Sequence, residues 1–346
     1  MSTATDLKPP AAEATVNVAA RDVSGADVLV VIPVLNEAGH IEACVRSLID
    51  GDERLKAAEV VIVDGGSKDA TCEIVERLKA EIPNLRLLHN PKRLQSAAVN
   101  LAAQDYGASR RIMVRCDAHS IYPANYVMAV ADSLSHRGVA SVVVPMDAVG
   151  ESCFQRANAW IVDTPLGSGG SAHRGGRKSM FVDHGHHAGF DLKKFLEVGG
   201  YDETFSHNED AEFDTRLRRA GNRIFLDAEI RLSYLPRGTV GSLARQYFNY
   251  GKGRARTLMK HSERPRLRQL IPPATLVACV LGLLIAPLSL WSLLLPGGYL
   301  AALVLASLYV AAKHRSACGL LAGLASATMH MSWSAGLFRQ MLKGQR

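Results

Sequence analysis

The chain has 346 residues, 48% of them apolar and 21% charged, with a formal net charge of +7. The length exceeds one ordinary domain. Residues 270–312 hold no Asp, Glu, Lys or Arg, so a wholly soluble protein is excluded. Lys252, Arg254, Arg256, Lys260, Arg264, Arg266 and Arg268 precede that stretch, opposed only by Glu263. Such a run marks a cytoplasmic membrane flank and contact with membrane lipids, not a nucleic-acid face, since no aromatic-interleaved basic surface occurs elsewhere.

Residues 1–26 are rich in Ala, Thr and Pro and lack the apolar core of a signal peptide, so they read as a disordered tail. Residues 27–262 read as a catalytic domain. Short β-branched runs at 28–34, 60–63, 85–88, 112–114 and 139–144 predict buried strands, and helical patterns at 38–49, 69–80, 95–104 and 124–135 separate them. This alternation predicts an α/β domain whose parallel sheet is covered on both faces, with ligands beyond the carboxyl ends of the strands. Residues 151–236 are less regular. They contain a Gly/Ser/His/Arg loop at 167–178 and a helix at 211–220, ended by Gly221-Asn222. Asp183, His184, His186 and His187, flanked by Gly185 and Gly189, read as a flexible loop beside substrate rather than a second metal centre.

Residues 263–346 read as membrane anchors, with apolar segments at 273–295, 299–312 and 317–338. The first two predict a hairpin with its tip at Leu295-Pro296-Gly297-Gly298 and Lys313-His314-Arg315 inside. The third is read as a further crossing, with an interfacial course as the alternative. It is the most polar of the three, and crossing would put Arg339, Lys343 and Arg346 outside, against the charge rule. The six cysteines form no C-x-x-C pair, which predicts neither a zinc knuckle nor a disulfide framework and fits a reducing compartment.

Five motifs stand after the predicted strands. Pro33-Val34-Leu35-Asn36-Glu37 either caps a helix or meets a base or ribose. Asp64-Gly65-Gly66-Ser67-Lys68-Asp69 places a carboxylate at a strand end, with Asp69 left to helix initiation. Asp117 and His119, at i and i+2 of a segment read as extended, would project together and suit a divalent ion on a diphosphate. Glu209-Asp210 either complements a helix dipole or supplies a general base. Tyr250-Gly251-Lys252-Gly253-Arg254 suits a pyrophosphate or anionic lipid equally. No G-x-G-x-x-G or G-x-x-x-x-G-K-[ST] occurs, which argues against dinucleotide oxidoreductases and P-loop enzymes.

In their order, these motifs together with Asn90-Pro91-Lys92-Arg93 resemble the family 2 glycosyltransferases of the GT-A fold. Asp117-Ala118-His119, the run ending at Arg254, and Gly199-Gly200-Tyr201-Asp202-Glu203 resemble the succinoglycan-type exopolysaccharide glucosyltransferases within that family. The resemblance covers roughly residues 28–256. It implies a GT-A nucleotide-diphospho-sugar transferase fold, a Rossmann-like mixed sheet, with C-terminal transmembrane helices. It further implies inverting transfer of a hexose, in the first place glucose from UDP-glucose, to a hydroxyl of a polyprenyl-diphosphate-linked saccharide. The setting would be the cytoplasmic side of a bacterial-type inner membrane. Pro33, Asn36, Glu37, Asp64, Ser67, Arg93, Asp117 and Arg254 would bind the nucleotide-sugar, and Asp117 and His119 would hold Mn²⁺ or Mg²⁺. Asp210 would be the base and Glu209 an acceptor-side group. Two departures stand out: Gly65 occupies the place of a second Asp found in many members, and His119 replaces a carboxylate. Transfer to a polyprenyl phosphate, and a non-catalytic membrane scaffold of the same fold, are the competing readings.

Overall fold

The computed structural model describes residues 22–50, 52–171 and 174–344; the tail expected over 1–26 lies mostly outside them. Within that tail's last residues, Val23 and Gly25 are already buried, so the packed domain starts earlier than the composition implies. In chain order the first half holds β1 (Val28–Val34), α1 (Ile41–Ile49), β2 (Glu59–Asp64), α2 (Thr71–Glu81), β3 (Leu85–His89), α3 (Gln95–Tyr106), β4 (Ile112–Arg115), α4 (Tyr126–Arg137), β5 (Ser141–Val144) and β6 (Met146–Ala148). The second half holds α5 (Cys153–Val162), α6 (Pro165–Ser168), β7 (Met180–Val182), β8 (His186–Asp191), α7 (Leu192–Glu197), α8 (Glu209–Arg219), β9 (Ile224–Leu226), β10 (Leu232–Tyr234), α9 (Val240–His261), α10 (Leu267–Ile285), α11 (Leu294–His314) and α12 (Ala322–Lys343).

The main sheet runs β3-β2-β1-β4-β8-β5-β9-β7, and β6 and β10 form a separate parallel pair. β3, β2, β1 and β4 are mutually parallel, as the alternating pattern predicts, but β8 enters antiparallel between β4 and β5. The sheet is therefore mixed. The flexible loop expected over His186 and His187 is instead a central strand, because Ala188 and Phe190 pack fully into opposite layers. Along β1, Val28, Val30 and Ile32 enter the layer under α1, α2 and α4, while Leu29 and Val31 enter the layer under α3, α7 and α8. Each such fully buried side chain contributes about 1.5–3 kcal/mol. The strand ends carrying Glu37, Asp64 and Asp117 are thereby fixed along one edge of a rigid sheet.

The C-terminal region departs from expectation in three ways. The hairpin turn falls at residues 286–289, not at Leu295-Pro296-Gly297-Gly298, which lies inside the first turns of α11. A proline there removes only an N–H that has no partner within the helix. Two helical stretches are long and apolar enough to cross a membrane, Leu267–Ile285 and Leu290–His314; among the described residues α12 is not a third. α12 instead packs along α9 and α5, burying Ser326, Ser334 and Gln340. Gly251 and Gly336 permit that contact: a Cβ on Gly251 would stand 2.0 Å from the Trp333 carbonyl, and one on Gly336 2.0 Å from that of Phe248. Finally, Cys153 and Cys318 form a disulfide between α5 and the turn before α12, with Cα atoms 5.0 Å apart. Their separation of 165 residues hid a pairing that the fold makes local.

Candidate active site

The β1 and β2 ends are tied into one loop pair. Asp64, the last residue of β2, accepts from the backbone N–H of Gly66 (2.8 Å) and of Ser67 (3.1 Å) and is almost wholly buried. Burial opposes its charge, but the Ser67 hydroxyl and these N–H donors outweigh it and hold the carboxyl below its ordinary range. The Ser67 hydroxyl accepts from Asn36 N–H at 2.8 Å, and Asn36 Oδ1 accepts from Lys68 N–H at 2.8 Å. Asn36 sits at φ +56° and is not the helix cap; α1 starts only at Ile41, after His40. Asp69 accepts from Ala38 N–H and the Thr71 hydroxyl, closing the same turn. Pro33 lies beside Val63 in the β1–β2 ladder, one residue before Val34 pairs with Asp64. Arg93, also at positive φ, lies over Gly66, where an added Cβ would meet its guanidinium at 3.3 Å. The structure thus gathers Pro33, Asn36, Glu37, Asp64, Ser67 and Arg93 at the carboxyl ends of β1 and β2.

Asp117 comes just after β4. Residues 118–119 form a turn closed by Ser120 N–H to the Asp117 carbonyl (3.2 Å), so Asp117 and His119 do not share the direction that an extended segment would impose. His119 is 65% exposed with Nδ1 at 3.5 Å from Glu37. The imidazole beside Asp117 is that of His186, at the start of β8, with Nε2 3.8 Å from Asp117 Oδ2. Burial opposes charge on Asp117, yet Arg115 and the two imidazoles hold its carboxyl below the usual range. Burial also pushes the His186 ring down to about 4, which leaves it neutral and able to act as a ligand. Asp117 and His186 together present one hard oxygen and one imidazole nitrogen, a donor pair compatible with Mn²⁺ or Mg²⁺. Among the described residues no group of three or more His, Cys, Asp or Glu is arranged to hold a metal ion.

Glu209 and Asp210 open α8, after Asn208 in a left-handed conformation at φ +67°. One turn further on, Asp214 accepts from both His184 Nδ1 (2.7 Å) and His187 Nε2 (2.8 Å). His187 continues to the Tyr201 hydroxyl at 2.6 Å, which lies 3.3 Å from Arg115, itself 3.5 Å from Asp117. A buried polar chain therefore links α8 to the end of β4. Within the acidic pair, burial and the Asp210 charge raise Glu209, whereas His184 and His187 overcome burial and hold Asp210 below its usual range. Arg254 on α9 lies within the field of Asp210. Gly253 permits this approach, since a Cβ there would stand 2.5 Å from that of Asn208.

A model of the family described as glycosyl transferase family 2 matches residues 29–199. A Rhizobium meliloti protein named succinoglycan biosynthesis protein ExoA is 45% identical over 319 residues, covering 92% of this chain and 96% of that one. The chain belongs to glycosyl transferase family 2. A Methanococcus voltae relative, named as a dolichyl N-acetyl-alpha-D-glucosaminyl phosphate 3-beta-D-2,3-diacetamido-2,3-dideoxy-beta-D-glucuronosyltransferase, is 25% identical over 243 residues, 67% of this chain and 74% of that one. Among solved structures, the mannosyltransferase PcManGT of Pyrobaculum calidifontis, in complex with GDP-Man and Mn²⁺, superimposes with a TM-score of 0.59 at 20% identity, over 92% of this chain and 87% of that one. That likeness establishes the GT-A fold, the mixed sheet seen here.

His184, His186 and His187 were read as a loop beside substrate and Tyr201 only as part of a motif, and Asp214 was not singled out at all. Their partners come from distant segments, and Gly185 and Gly189 disguised the strand they sit on. One signal was readable: Asp210 and Asp214 stand at i, i+4, on a single helix face. The Asp183 side chain leaves the cluster altogether and pairs with Arg266.

Proposed function

We propose that this family 2 glycosyltransferase moves a hexose from a UDP-sugar to a hydroxyl of a polyprenyl-diphosphate-linked saccharide, with inversion, during exopolysaccharide assembly. The observation that carries the reading is Asp210 at the helix start, kept ionised by the charge of His184 and His187, the imidazoles that bind Asp214; His187 continues through Tyr201 and Arg115 to Asp117. In this reading Asp64, Ser67, Asn36, Glu37, Pro33 and Arg93 receive the nucleotide. Asp210 accepts the proton of the attacking hydroxyl, while Glu209, raised in affinity for a proton, contacts the acceptor. Arg254 and Arg93 offset charge developing on the departing diphosphate. Asp117 and His186 would hold Mn²⁺ or Mg²⁺, which when bound supplies Lewis-acid neutralisation of that diphosphate.

The name of the R. meliloti relative supports the exopolysaccharide assignment. The name of the M. voltae relative, with its dolichyl-linked sugar phosphate, supports a lipid-linked sugar as acceptor. Two long apolar helices beside a basic flank support a membrane-anchored enzyme with a cytoplasmic catalytic domain. The test is Asp210→Asn in membranes supplied with UDP-glucose and lipid extract. Transfer is expected to fall by roughly 10²–10⁴-fold, the worth of a general base, with UDP binding retained. Undiminished transfer by the variant would favour a polyprenyl phosphate acceptor, which is already anionic and needs no base.

A further inference from the structure

A cavity of about 280 Å³ lies between α9, the C-terminal end of α12 and the segment leading into α8. Its lining includes Lys252, Arg256 and Lys343, together with His207 and Asn249, and no carboxylate. The nearby acids are already engaged. Asp202 and Glu212 both accept from Lys260 (2.6 and 2.7 Å), and Glu203 pairs with Lys92. Among the described residues neither Lys252 nor Lys343 has a carboxylate within ion-pair distance, so the lining cations repel one another unless an anion enters. Arg256 is held in place by donating to the Thr204 carbonyl (2.7 Å) and stacking 4.2 Å from the Phe205 ring. Asn249 Nδ2 lies 3.3 Å from His207 Nε2, and burial together with Lys252 lowers the His207 pKa, keeping a neutral polar ring at the wall.

The wall itself is His207-Asn208, which runs directly into Glu209 and Asp210, with Gly253 against it. An anion seated among these cations is therefore tethered beside the start of α8. The residues read above as receiving the nucleotide lie elsewhere, at the ends of β1 and β2, with Asp117 after β4; of the donor-side residues only Arg254 shares α9 with the cavity.

We propose that this cavity binds the diphosphate of the lipid-linked acceptor, anchoring it so that its sugar hydroxyl reaches Asp210. The inference rests on the acceptor reading above and adds a site to it. Phosphate chemistry could equally be presented by an anionic bilayer headgroup, and the experiment separates the two.

Full-length protein in detergent is saturated with UDP, which blocks the donor site, and titrated with inorganic pyrophosphate by calorimetry. Wild type is expected to bind, and the double variant Lys252→Ala/Lys343→Ala to bind about tenfold or more weakly, the loss of charge-assisted hydrogen bonds. The pair Lys252→Arg/Lys343→Arg should recover binding, and UDP affinity measured separately should report an intact fold. In flotation with phosphatidylcholine vesicles, with and without phosphatidylglycerol, wild type and double variant should behave alike. Equal pyrophosphate binding by wild type and the Ala variant overturns the proposal. So does loss of phosphatidylglycerol-dependent flotation with pyrophosphate binding unchanged, which would make the cavity a headgroup contact. The two readings fail separately: an active Asp210→Asn enzyme removes the base without touching this site, whereas an inactive one leaves the pyrophosphate result to decide it.

Discussion

Asp214 lies one turn of α8 beyond Asp210, and the two carboxylates divide their work. Asp214 spends its oxygens on His184 and His187, whereas Asp210 accepts only the N–H of Ala211 among the described residues. Removing one partner from so buried a charged network costs about 3–5 kcal/mol. Asp117 has an analogous arrangement, with His186 3.8 Å away and His119 drawn toward Glu37. His186→Ala is accordingly expected to weaken Mn²⁺ binding by more than the roughly 10–100-fold lost with a merely supporting partner, and His119→Ala by less. Asp117→Ala should be the most damaging of the three. Mn²⁺ paramagnetic resonance titration, read beside transfer after EDTA treatment, checks the order; a His119 effect exceeding that of His186 would reverse the assignment. Asp117 and Asp210 were legible in the sequence because a strand end and a helix start each leave a short signature. His186 and Tyr201 were not, because what gives them meaning is contact with segments far away in the chain.

Among the elements, the clearest agreement lies in β1, β2 and β4, where short apolar runs form buried strands, while β3 forms where expected but is buried only at Leu85. The misreadings share a cause: Gly and Pro were taken as breaks wherever they clustered. Gly185 and Gly189 flank or occupy a central strand, because a Cβ at 185 would strike Val143 at 2.5 Å and one at 189 would strike Val130 at 2.5 Å. Pro296 stands in the first turn of a helix rather than at a hairpin tip. The cysteines illustrate the same limit, since Cys153 and Cys318 become neighbours only when α12 folds back on α5. Cross-linking 165 residues restricts the unfolded chain, an effect typically of about 2–4 kcal/mol. Peptide mapping without reductant should recover the 153–318 linked pair, and Cys153→Ser should lower the melting temperature of purified protein. A melting curve indifferent to both reductant and substitution would show that the bond does not form.

For the molecule as a whole, the question is on which side of the membrane the C-terminus lies. α10 has 19 residues, a length of about 28 Å, and Leu290–His314 has 25, so each is long enough to cross once. A single hairpin returns the chain to its starting side. Contacts made beyond the hairpin support that return: His314 stacks on Trp160 of α5 at 4.3 Å, Cys318 bonds to Cys153, and α12 runs along α9. Ser326 and Ser334, awkward in lipid, are instead buried against protein. The charge pattern then becomes consistent. As a third crossing, residues 317–338 would have carried Arg339, Lys343 and Arg346 outward; with α12 packed along α9, Arg339 and Lys343 stay with Arg264, Arg266 and Arg268 on the basic side. Reporters inserted at Lys313 and fused after Arg346 should therefore both read cytoplasmic, and a cysteine placed at Leu288, 88% exposed at the tip, should label from outside. An external C-terminal reporter would require α12 to leave α9 and α5, which the close packing at Gly251 and Gly336 resists. An external Lys313 reporter would overturn the hairpin itself.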